Sequence, residues 1–381
     1  RVKITKNILG HEVEMFDPDP EILAEFDPPD TDMIPDSAVS NDYNARVPKT
    51  KNVIHDFEGI ENTRTPLQEK PITNHLEQKV WDRFGEGCTH ANGNLFPQEI
   101  TSIDPKTGAL RGQVLEPVIE IEEEHKGKAP CKPVMKLSPD HEKELYAQIK
   151  YYLEKGWIVP STSPFGCAVF FVPKKSGKLR IILDYRGLNS ITKKDKFALP
   201  DPTQLTTQLA GAKFYSSLDM SHGYHQMVLE ESDKPKTAFR TLHGSYQWNV
   251  LTFGLTNAVP AFIKAMERVL RKHIGKCCII FIDDIVIYSK TLEQHEQDLM
   301  DVLSTIQDAQ LYINWSKSEI LIKEITYLGH LITPEGIKPL NEKIKSIQEW
   351  DVPENVYQIR SFIGAVSYYR RFIHNFAHWA K

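Results

Sequence analysis

Two kinds of segment are missing from this 381-residue sequence: a long apolar run and a paired set of cysteines. No stretch of 18 or more apolar residues occurs, so no membrane-spanning helix is expected. The opening stretch RVKITKNILG also lacks the apolar core of a secretion signal. The five cysteines show no C-x-x-C spacing, which argues against a disulfide framework and against a zinc site. We therefore expect an intracellular protein with reduced thiols.

Charge and proline are distributed unevenly along the chain, whose formal net charge is −5. Residues 1–130 hold 12 of the 24 prolines, and 14 Lys and Arg against 25 Asp and Glu. Few aliphatic residues interrupt this stretch, so we expect residues 1–130 to form an acidic, Pro-rich leader that is mostly disordered. Residues 131–381 carry 32 Lys and Arg against 26 Asp and Glu, a mild excess that suits a nucleic-acid partner without requiring one.

Beyond the leader, helical and strand patterns alternate irregularly. Ser138 and Pro139 are typical of a helix start, and Gly156 is placed to end that helix. The stretches AVFFVPKKSGKLRIILDYR and KTAFRTLHGSYQWNVL predict β-hairpins, and FYSSLDM predicts a strand that ends at Asp219. Apolar residues recur at helical spacing over residues 258–273. Without a steady βαβα rhythm, this order of elements indicates an α+β fold.

The segment IIFIDDIVIYS is apolar except for two adjacent carboxylates, Asp283 and Asp284. Burying an unpaired carboxylate costs several kcal/mol, so the segment predicts strand–turn–strand with the acids at the tip. An ordinary Asp-containing turn satisfies this pattern. The alternative is a Mg²⁺ site, because that ion takes carboxylate and phosphate oxygens as ligands. Adjacent strand residues point to opposite faces, so a shared site needs a further acid, and Asp219 is a candidate.

Six blocks occur in a fixed order: LSPDHEKELYAQIKYYLEKGWIVPSTSPFGCAVFFVPKKSGKLRIILDYRGLN, SSLDMSHGYHQM, LTFGLTNAVPAF, FIDDIVIYS, INWSKSEILIKEITYLGHLIT and IRSFIGAVSYYRRFIHNFA. With these blocks, residues 136–376 resemble the reverse transcriptase of gypsy-type LTR retrotransposons, with retroviral enzymes as more distant relatives. The resemblance implies a right-hand polymerase with a ferredoxin-like palm sheet, whose fingers and palm are residues 131–333. Residues 334–381 are expected to begin the thumb or connection, without the RNase H and integrase portions of such polyproteins.

The resemblance also implies an activity, which is RNA-directed DNA polymerisation: a primer on an RNA or DNA template is extended with dNTPs. The cofactor is expected to be two Mg²⁺ ions, for which Mn²⁺ could substitute. The ligands implied are the catalytic acids Asp219, Asp283 and Asp284, with the backbone carbonyl of Met220. Residues that match the nucleotide pocket are Lys174, Arg180, Asp184, Tyr224, Phe253, Gly254 and Lys317. Residues that match the hairpin gripping the primer are Leu328, Gly329 and His330.

Each pocket residue has a physical role under this resemblance. The Tyr224 ring would leave no room for a 2′-hydroxyl and would therefore favour deoxynucleotides. Lys174 and Arg180 would meet the triphosphate, which both a point charge and a planar guanidinium suit. Gly254 would allow the backbone to approach the nucleotide closely. Lys317 would act as a general acid for the leaving pyrophosphate.

The sequence departs from the family pattern in NAVPAFIKAM, where the proline is displaced by one place and Ile263 stands where Gln is common.

Two other functions are consistent with part of the pattern: a catalytically inactive nucleic-acid-binding relic and a two-metal nuclease. A relic is expected to lose acids such as Asp219, and a nuclease does not explain Tyr224. The sequence leaves open the cellular compartment, the oligomeric state, and the identity of primer and template.

Overall fold

The computed structural model describes residues 70–91, 93–103, 110–173, 179–198 and 200–380, and the strands at residues 4–8 and 11–15. By its packing the chain divides into two units, one of residues 69–340 and one of residues 1–68 with 341–381. None of the helices in the described ranges is long and apolar enough to cross a membrane. The acidic segment predicted as disordered leader lies, over residues 16–69, outside the described residues.

Helices and strands are mixed along the chain, as an α+β fold requires. The strands are β1 (Ile4–Ile8), β2 (His11–Met15), β3 (Gln113–Val114), β4 (Ile158–Pro160), β5 (Val169–Pro173), β6 (Leu179–Leu183), β7 (Phe214–Asp219), β8 (Met227–Val228), β9 (Phe239–Thr241), β10 (Gly244–Trp248), β11 (Cys278–Phe281), β12 (Asp284–Ser289), β13 (Glu319–Ile322), β14 (Ile325–Tyr327), β15 (His330–Thr333) and β16 (Gly336–Pro339). The helices are α1 (His75–Phe84), α2 (Pro139–Glu154), α3 (Arg186–Asn189), α4 (Pro202–Leu209), α5 (Ala258–Leu270), α6 (Leu292–Asp308), α7 (Asn341–Gln348), α8 (Val356–Ser367) and α9 (Phe376–Trp379).

A four-stranded antiparallel sheet in the order β11-β12-β7-β13 lies in the larger unit. In the chain, α5 comes between β7 and β11, and α6 comes between β12 and β13. The core of this unit therefore follows the order β–α–β–β–α–β with the first and third strands at the centre of the sheet. This is the ferredoxin-like palm that the resemblance implies.

Both faces of this sheet are covered, which explains why its strands are apolar almost throughout. On one face, Leu218 and Ile285 pack in a cluster that includes buried residues of α5 and α6. On the other face, Tyr215 and Val286 pack with residues of α4, β14 and β15. Successive strand residues alternate between the two clusters, and each fully buried aliphatic side chain contributes about 1.5–3 kcal/mol. The sheet is thus a rigid support for whatever lies at its strand ends.

The hairpins and the first long helix form where the local sequence signals place them. The Ser138 hydroxyl accepts the His141 N–H at 3.3 Å, and α2 ends before Gly156, whose φ is +70°. Strands β5 and β6 pair as the predicted fingers hairpin, and β9 pairs with β10 around a turn at residues 242–243. Turn and capping residues act over a few positions, so they can be identified from sequence alone.

The folded unit begins well before the leader boundary predicted at residue 130. Leu76, Val80 and Phe84 of α1 are at most 1% exposed and belong to the main core cluster. Val118 and Ile119 also lie in that cluster. Residues 70–103 and 110–130 are therefore ordered parts of the fold, and the boundary moves to about Lys70. The acidic, Pro-rich composition of the stretch favoured disorder, although Leu76, Val80 and Phe84 recur at helical spacing.

The boundary at the other end also differs from the prediction. Strands β14, β15 and β16 form one antiparallel sheet, so the larger unit extends to Leu340 and not to residue 333. In the smaller unit, Phe362 and Val366 of α8 pack with Ile373 in a separate cluster. The same unit contains the β1–β2 hairpin.

Candidate active site

The two adjacent aspartates lie at the turn between β11 and β12. Phe281 pairs with Asp284 in the hairpin, which leaves Ile282 and Asp283 as the two turn residues. Ile282 has a φ of +54°, an unusual conformation for a β-branched residue and a sign of strain. Both aspartates are exposed, whereas Ile285 directly after them is buried. The hairpin tip therefore resolves the conflict between carboxylates and apolar flanks.

Asp284 lies directly opposite Asp219 in the pairing of β12 with β7. Directly opposed residues of an antiparallel pair share one face of the sheet, with Cα atoms about 4.5–5.5 Å apart. The register therefore brings together two carboxylates that are 65 positions apart in the sequence. Asp283 lies in the adjoining turn, directly before Asp284 in the chain, so all three predicted acids lie at one edge of the palm.

These carboxylates disfavour one another's ionisation. Partial burial raises the pKa of Asp283, and the charges of Asp284 and Asp219 raise it further. Burial and the charge of Asp219 likewise raise the pKa of Asp284. Asp283 and Asp284 are therefore less stable in their charged forms than solvated carboxylates, and a cation at this edge would relieve that cost.

The donor types at this edge fit Mg²⁺, which prefers oxygen ligands from carboxylates and carbonyls. Met220 immediately follows β7, so its carbonyl adjoins the carboxylates in the chain. In the described part of the chain, no three or more His, Cys, Asp or Glu side chains are gathered closely enough to hold an ion.

Lys317 lies beside the acids, as the resemblance implies. Its Nζ is 3.6 Å from Asp219 Oδ1, and its side chain is 66% exposed. Asn314 places this lysine, because its side-chain oxygen accepts the Lys317 N–H at 3.3 Å. The backbone N–H of Asn314 in turn donates to the Asp219 carbonyl at 2.8 Å. The lysine is thus tied to the same strand end as the carboxylate.

Tyr224 lies in an aromatic cluster near Asp283. Its side chain is buried, and its ring centroid is 4.6 Å from that of Phe253 and 5.1 Å from that of Phe262. Burial and the nearby charge of Asp283 raise the pKa of Tyr224 to about 12. Phe253 is 64% exposed, so one side of the aromatic pair faces solvent. An exposed ring over a buried one is a surface on which a base or sugar could pack.

A sharp turn at Gly254 follows Phe253. Its φ of +92° favours glycine, and a Cβ there would lie 3.4 Å from the Tyr185 ring. Asn189 holds the turn: its Nδ2 donates to the Gly254 carbonyl at 2.8 Å, and its Oδ1 accepts the Thr256 N–H at 3.0 Å. Sequence reasoning missed Asn189, because nothing in its spacing marks it as a partner of a turn 65 residues away.

Asp184 is a buried acceptor between two cations. The guanidinium of Arg186 donates to it at 2.9 and 3.0 Å, and Lys132 forms an ion pair with it. Hydrogen bonds from Arg186 and then from Lys132 hold the pKa of Asp184 well below its usual value. This carboxylate fixes an otherwise exposed arginine, a positioning role. Lys132 was not predicted, since a lysine in CKPVMK has no distinguishing pattern.

Two predicted residues of the fingers, Arg180 and Lys174, remain to be located. Arg180 lies in β6 opposite Val172, which puts it on the fingers hairpin. Lys174 lies outside the described residues.

The predicted primer-grip residues form the tight connection of the β14–β15 hairpin. Leu328 and Gly329 have φ values of +46° and +71°. The Nδ1 atom of His330, which is buried, lies 2.8 Å from the Leu328 carbonyl oxygen. Tyr327 packs in the cluster beneath the palm sheet, and its pKa is raised by burial and then by the charge of Asp284. The hairpin therefore covers the face of the sheet that bears Asp284.

Ile263 has a simple structural explanation. It is buried in α5, one residue after Phe262, whose ring packs against Tyr224. An apolar side chain at this position packs in the interior, where the amide of a glutamine would need hydrogen-bond partners.

Comparisons with known proteins agree with this arrangement. Residues 172–332 match the family model described as reverse transcriptase (RNA-dependent DNA polymerase). The retrovirus-related Pol polyprotein from transposon opus of Drosophila melanogaster is 38% identical over 243 residues, which are 62% of this chain and 24% of that polyprotein. The corresponding polyprotein from transposon gypsy of the same organism is 37% identical over 240 residues, 61% of this chain and 23% of the relative. The chain thus spans about a quarter of the length of these relatives.

A solved structure shares the fold. The foamy viral protease-reverse transcriptase, determined in complex with dsDNA, aligns with a TM-score of 0.65 at 20% identity, over 80% of this chain and 61% of that one. At this level of identity the likeness shows a shared fold. Together these comparisons lead to one conclusion: residues 172–332 match the reverse transcriptase family model, and the chain is similar over 61–62% of its length to retrovirus-related Pol polyproteins of transposons.

Proposed function

We propose that this chain is an RNA-directed DNA polymerase that extends a primer with dNTPs by two-metal phosphoryl transfer. The observation that carries the proposal is the register of β7 and β12, which sets Asp219 against Asp284 with Asp283 in the adjoining turn. A simple polar turn does not require an acid on a second strand opposite it. The Tyr224 ring near Asp283, in contact with the exposed Phe253, would pack against a nucleotide sugar.

Asp219, Asp283, Asp284 and the Met220 carbonyl would hold the two Mg²⁺ ions. When bound, these ions would lower the pKa of the primer 3′-hydroxyl and neutralise charge on the triphosphate. The protein then orients the substrates: Tyr224 excludes a 2′-hydroxyl, and Phe253 with Gly254 forms the wall against which the nucleotide packs. Lys317 would give a proton to the leaving pyrophosphate.

The fingers would complete the nucleotide site. Lys174 and Arg180 are proposed to contact the triphosphate, and Asp184 to hold Arg186 at the pocket wall. The β14–β15 hairpin, with Leu328, Gly329 and His330, would hold the primer end near Asp284. Template and primer strands would bind chiefly through backbone phosphates, so affinity should fall steeply as salt rises.

Primer extension tests this proposal. Wild type and Asp283→Asn are compared on an RNA template with a DNA primer, dNTPs and Mg²⁺. Loss of one metal ligand should lower extension by at least about 100-fold, since even outer-shell changes at metal sites cost 10–100-fold. Equal extension by both proteins would show that the acids are not the metal site. A wild type that binds primer–template but never extends it would be the inactive nucleic-acid-binding relic.

A further inference from the structure

Gln226 has a buried carboxamide whose atoms are engaged by the backbone of two other segments. The residue is 4% exposed. Its Nε2 donates to the carbonyls of Ser221 at 2.6 Å and of Tyr312 at 2.9 Å. Its Oε1 accepts the Tyr312 N–H at 2.7 Å. The side chain therefore pairs with both backbone groups of Tyr312, as a neighbouring strand would.

These bonds extend a short backbone ladder at the end of β7. The Asn314 N–H donates to the Asp219 carbonyl at 2.8 Å, and the Ser221 N–H donates to the Tyr312 carbonyl at 3.1 Å. Past this point the chain turns into the 3₁₀ segment that contains Gln226, so no backbone strand continues the pairing. The Gln226 carboxamide supplies the next rung from its side chain.

Both sides of this ladder carry groups of the candidate active site. One side presents Asp219 and the Met220 carbonyl. The other side leads through Asn314 to Lys317, whose Nζ is 3.6 Å from Asp219 Oδ1. If the ladder opened, the carboxylate and the lysine would shift relative to each other.

We propose that Gln226 is a positioning residue, which fixes the end of β7 that bears Asp219 in register with the segment that bears Lys317. This role rests on the proposed polymerase function. Gln226 acts through the backbone of Ser221 and Tyr312. Removing its carboxamide would leave the Ser221 carbonyl and the Tyr312 N–H without this partner, and the Tyr312 carbonyl with the Ser221 N–H alone. The segments would then separate to reach water.

The test compares Gln226→Met with Gln307→Met in the full chain. Gln307 is a matched control, because it is equally buried and its Nε2 donates to the Gly93 carbonyl at 2.8 Å, in a loop outside the site. Two readouts are measured: the Mg²⁺ concentration for half-maximal extension, and the rise in melting temperature caused by Mg²⁺ without substrates. For Gln226→Met we expect the Mg²⁺ concentration for half-maximal extension to be at least tenfold higher than for wild type. We expect the rise in melting temperature caused by Mg²⁺ to be less than half the wild-type value. Gln307→Met should lose stability but keep both Mg²⁺ responses.

A second variant, Gln226→Glu, makes the pairing with Ser221 and Tyr312 depend on pH. A protonated carboxyl keeps one O–H donor and one acceptor for the ladder, whereas an ionised one has no donor and repels the two carbonyls. Burial raises the pKa of such a carboxyl, so it should ionise between about pH 6 and 8.5. The ratio of Gln226→Glu to wild-type extension should therefore fall at least tenfold across that range.

The outcomes separate this inference from the proposed function. Mg²⁺ responses of Gln226→Met equal to those of Gln307→Met would overturn the positioning role. A wild type that fails to extend but shows a Mg²⁺ thermal rise that Gln226→Met loses would support the role and reject polymerase activity. A wild type with neither extension nor a Mg²⁺ response would overturn both.

Discussion

Asp283 and Asp284 are held where their ionised forms are disfavoured, so the site should reduce the stability of the unliganded fold. A carboxyl pKa that is raised in the folded state means that stability falls as pH rises from the ordinary value of 3.8 through the raised value. At pH 7.5, Asp283→Asn should therefore melt about 1–3 °C above wild type. At pH 3.5, below the ordinary value, these carboxyls are protonated to a greater extent and the difference should shrink.

Thermal melts at both pH values, with and without Mg²⁺, check this prediction. Mg²⁺ should raise the melting temperature of wild type and leave that of Asp283→Asn nearly unchanged, because a ligand stabilises only the state that binds it. Exposed Asp308→Asn serves as a control that changes charge away from the site. A variant that melts below wild type at pH 7.5 would show that these carboxylates do not repel one another as described.

Tyr224 should determine selectivity for the sugar. Tyr224→Ala removes the ring between Phe253 and Phe262 and opens space beside Asp283. We expect kcat/KM for a ribonucleotide relative to its deoxynucleotide to rise at least about tenfold, the effect of relieving one steric exclusion. Tyr224→Phe keeps the ring and should keep the selectivity. Single-nucleotide incorporation kinetics measure both ratios, and an unchanged ratio in Tyr224→Ala would reject this role.

At the scale of single residues, the sequence identified the acids but not their mutual arrangement. Asp219, Asp283 and Asp284 were assigned through the ordered blocks that resemble reverse transcriptases, because an Asp-containing turn by itself is common. That Asp284 and not Asp283 lies opposite Asp219 depends on the register of β12 with β7, which spacing alone does not determine. Asn189 and Lys132 act through partners distant in the chain, so no local pattern could reveal them.

At the scale of elements, prediction succeeded where the signals were local. A few neighbouring residues determine the caps of α2 and the turns of the two hairpins, β5–β6 and β9–β10. Helix α1 was missed, because the acidic, Pro-rich composition around it favoured disorder. Its apolar residues Leu76, Val80 and Phe84 do recur at helical spacing, and they are buried in the main core.

One buried carboxylate shows how such a segment is fixed. Asp233, which is fully buried, accepts the N–H groups of Val118 at 2.5 Å and Ile119 at 3.0 Å, and pairs with Lys236 at 2.8 Å. Asp233→Ala should cost about 3–5 kcal/mol, because it leaves a partly buried cation and two N–H groups without their acceptor. Asp233→Asn keeps one acceptor oxygen and should cost about 1–3 kcal/mol. Chemical denaturation measures both free energies of unfolding.

The control for this pair is Asp195→Asn, which removes a partly exposed ion pair with Lys264. That change should cost less than about 1 kcal/mol, as for most exposed ion pairs. Equal losses for Asp233→Ala and Asp195→Asn would mean that residues 118–119 are not anchored through Asp233.

At the scale of the whole molecule, charge is divided between the acidic N-terminal stretch and the rest of the chain. Residues 1–69 hold 7 Lys and Arg against 15 Asp and Glu, whereas residues 70–381 hold 39 against 36. Removing residues 1–69 therefore changes the formal net charge of the protein from negative to positive, and a polyanion would be attracted and no longer repelled. Long-range repulsion of this kind acts over a Debye length, about 10 Å at 0.1 M salt.

We accordingly expect a chain that begins at Lys70 to bind primer–template more tightly than the full chain, by about three- to tenfold at 50 mM salt and equally at 300 mM. Lys70 is a suitable start, because its Nζ bonds Glu77 and the Ser318 carbonyl within the fold. A chain that begins at Cys131 lacks α1 and the segment held by Asp233, so it should not fold. Fluorescence anisotropy over a salt series, with circular dichroism of each chain, distinguishes these outcomes. Weaker binding by the chain that begins at Lys70 would show that the acidic stretch helps to hold nucleic acid.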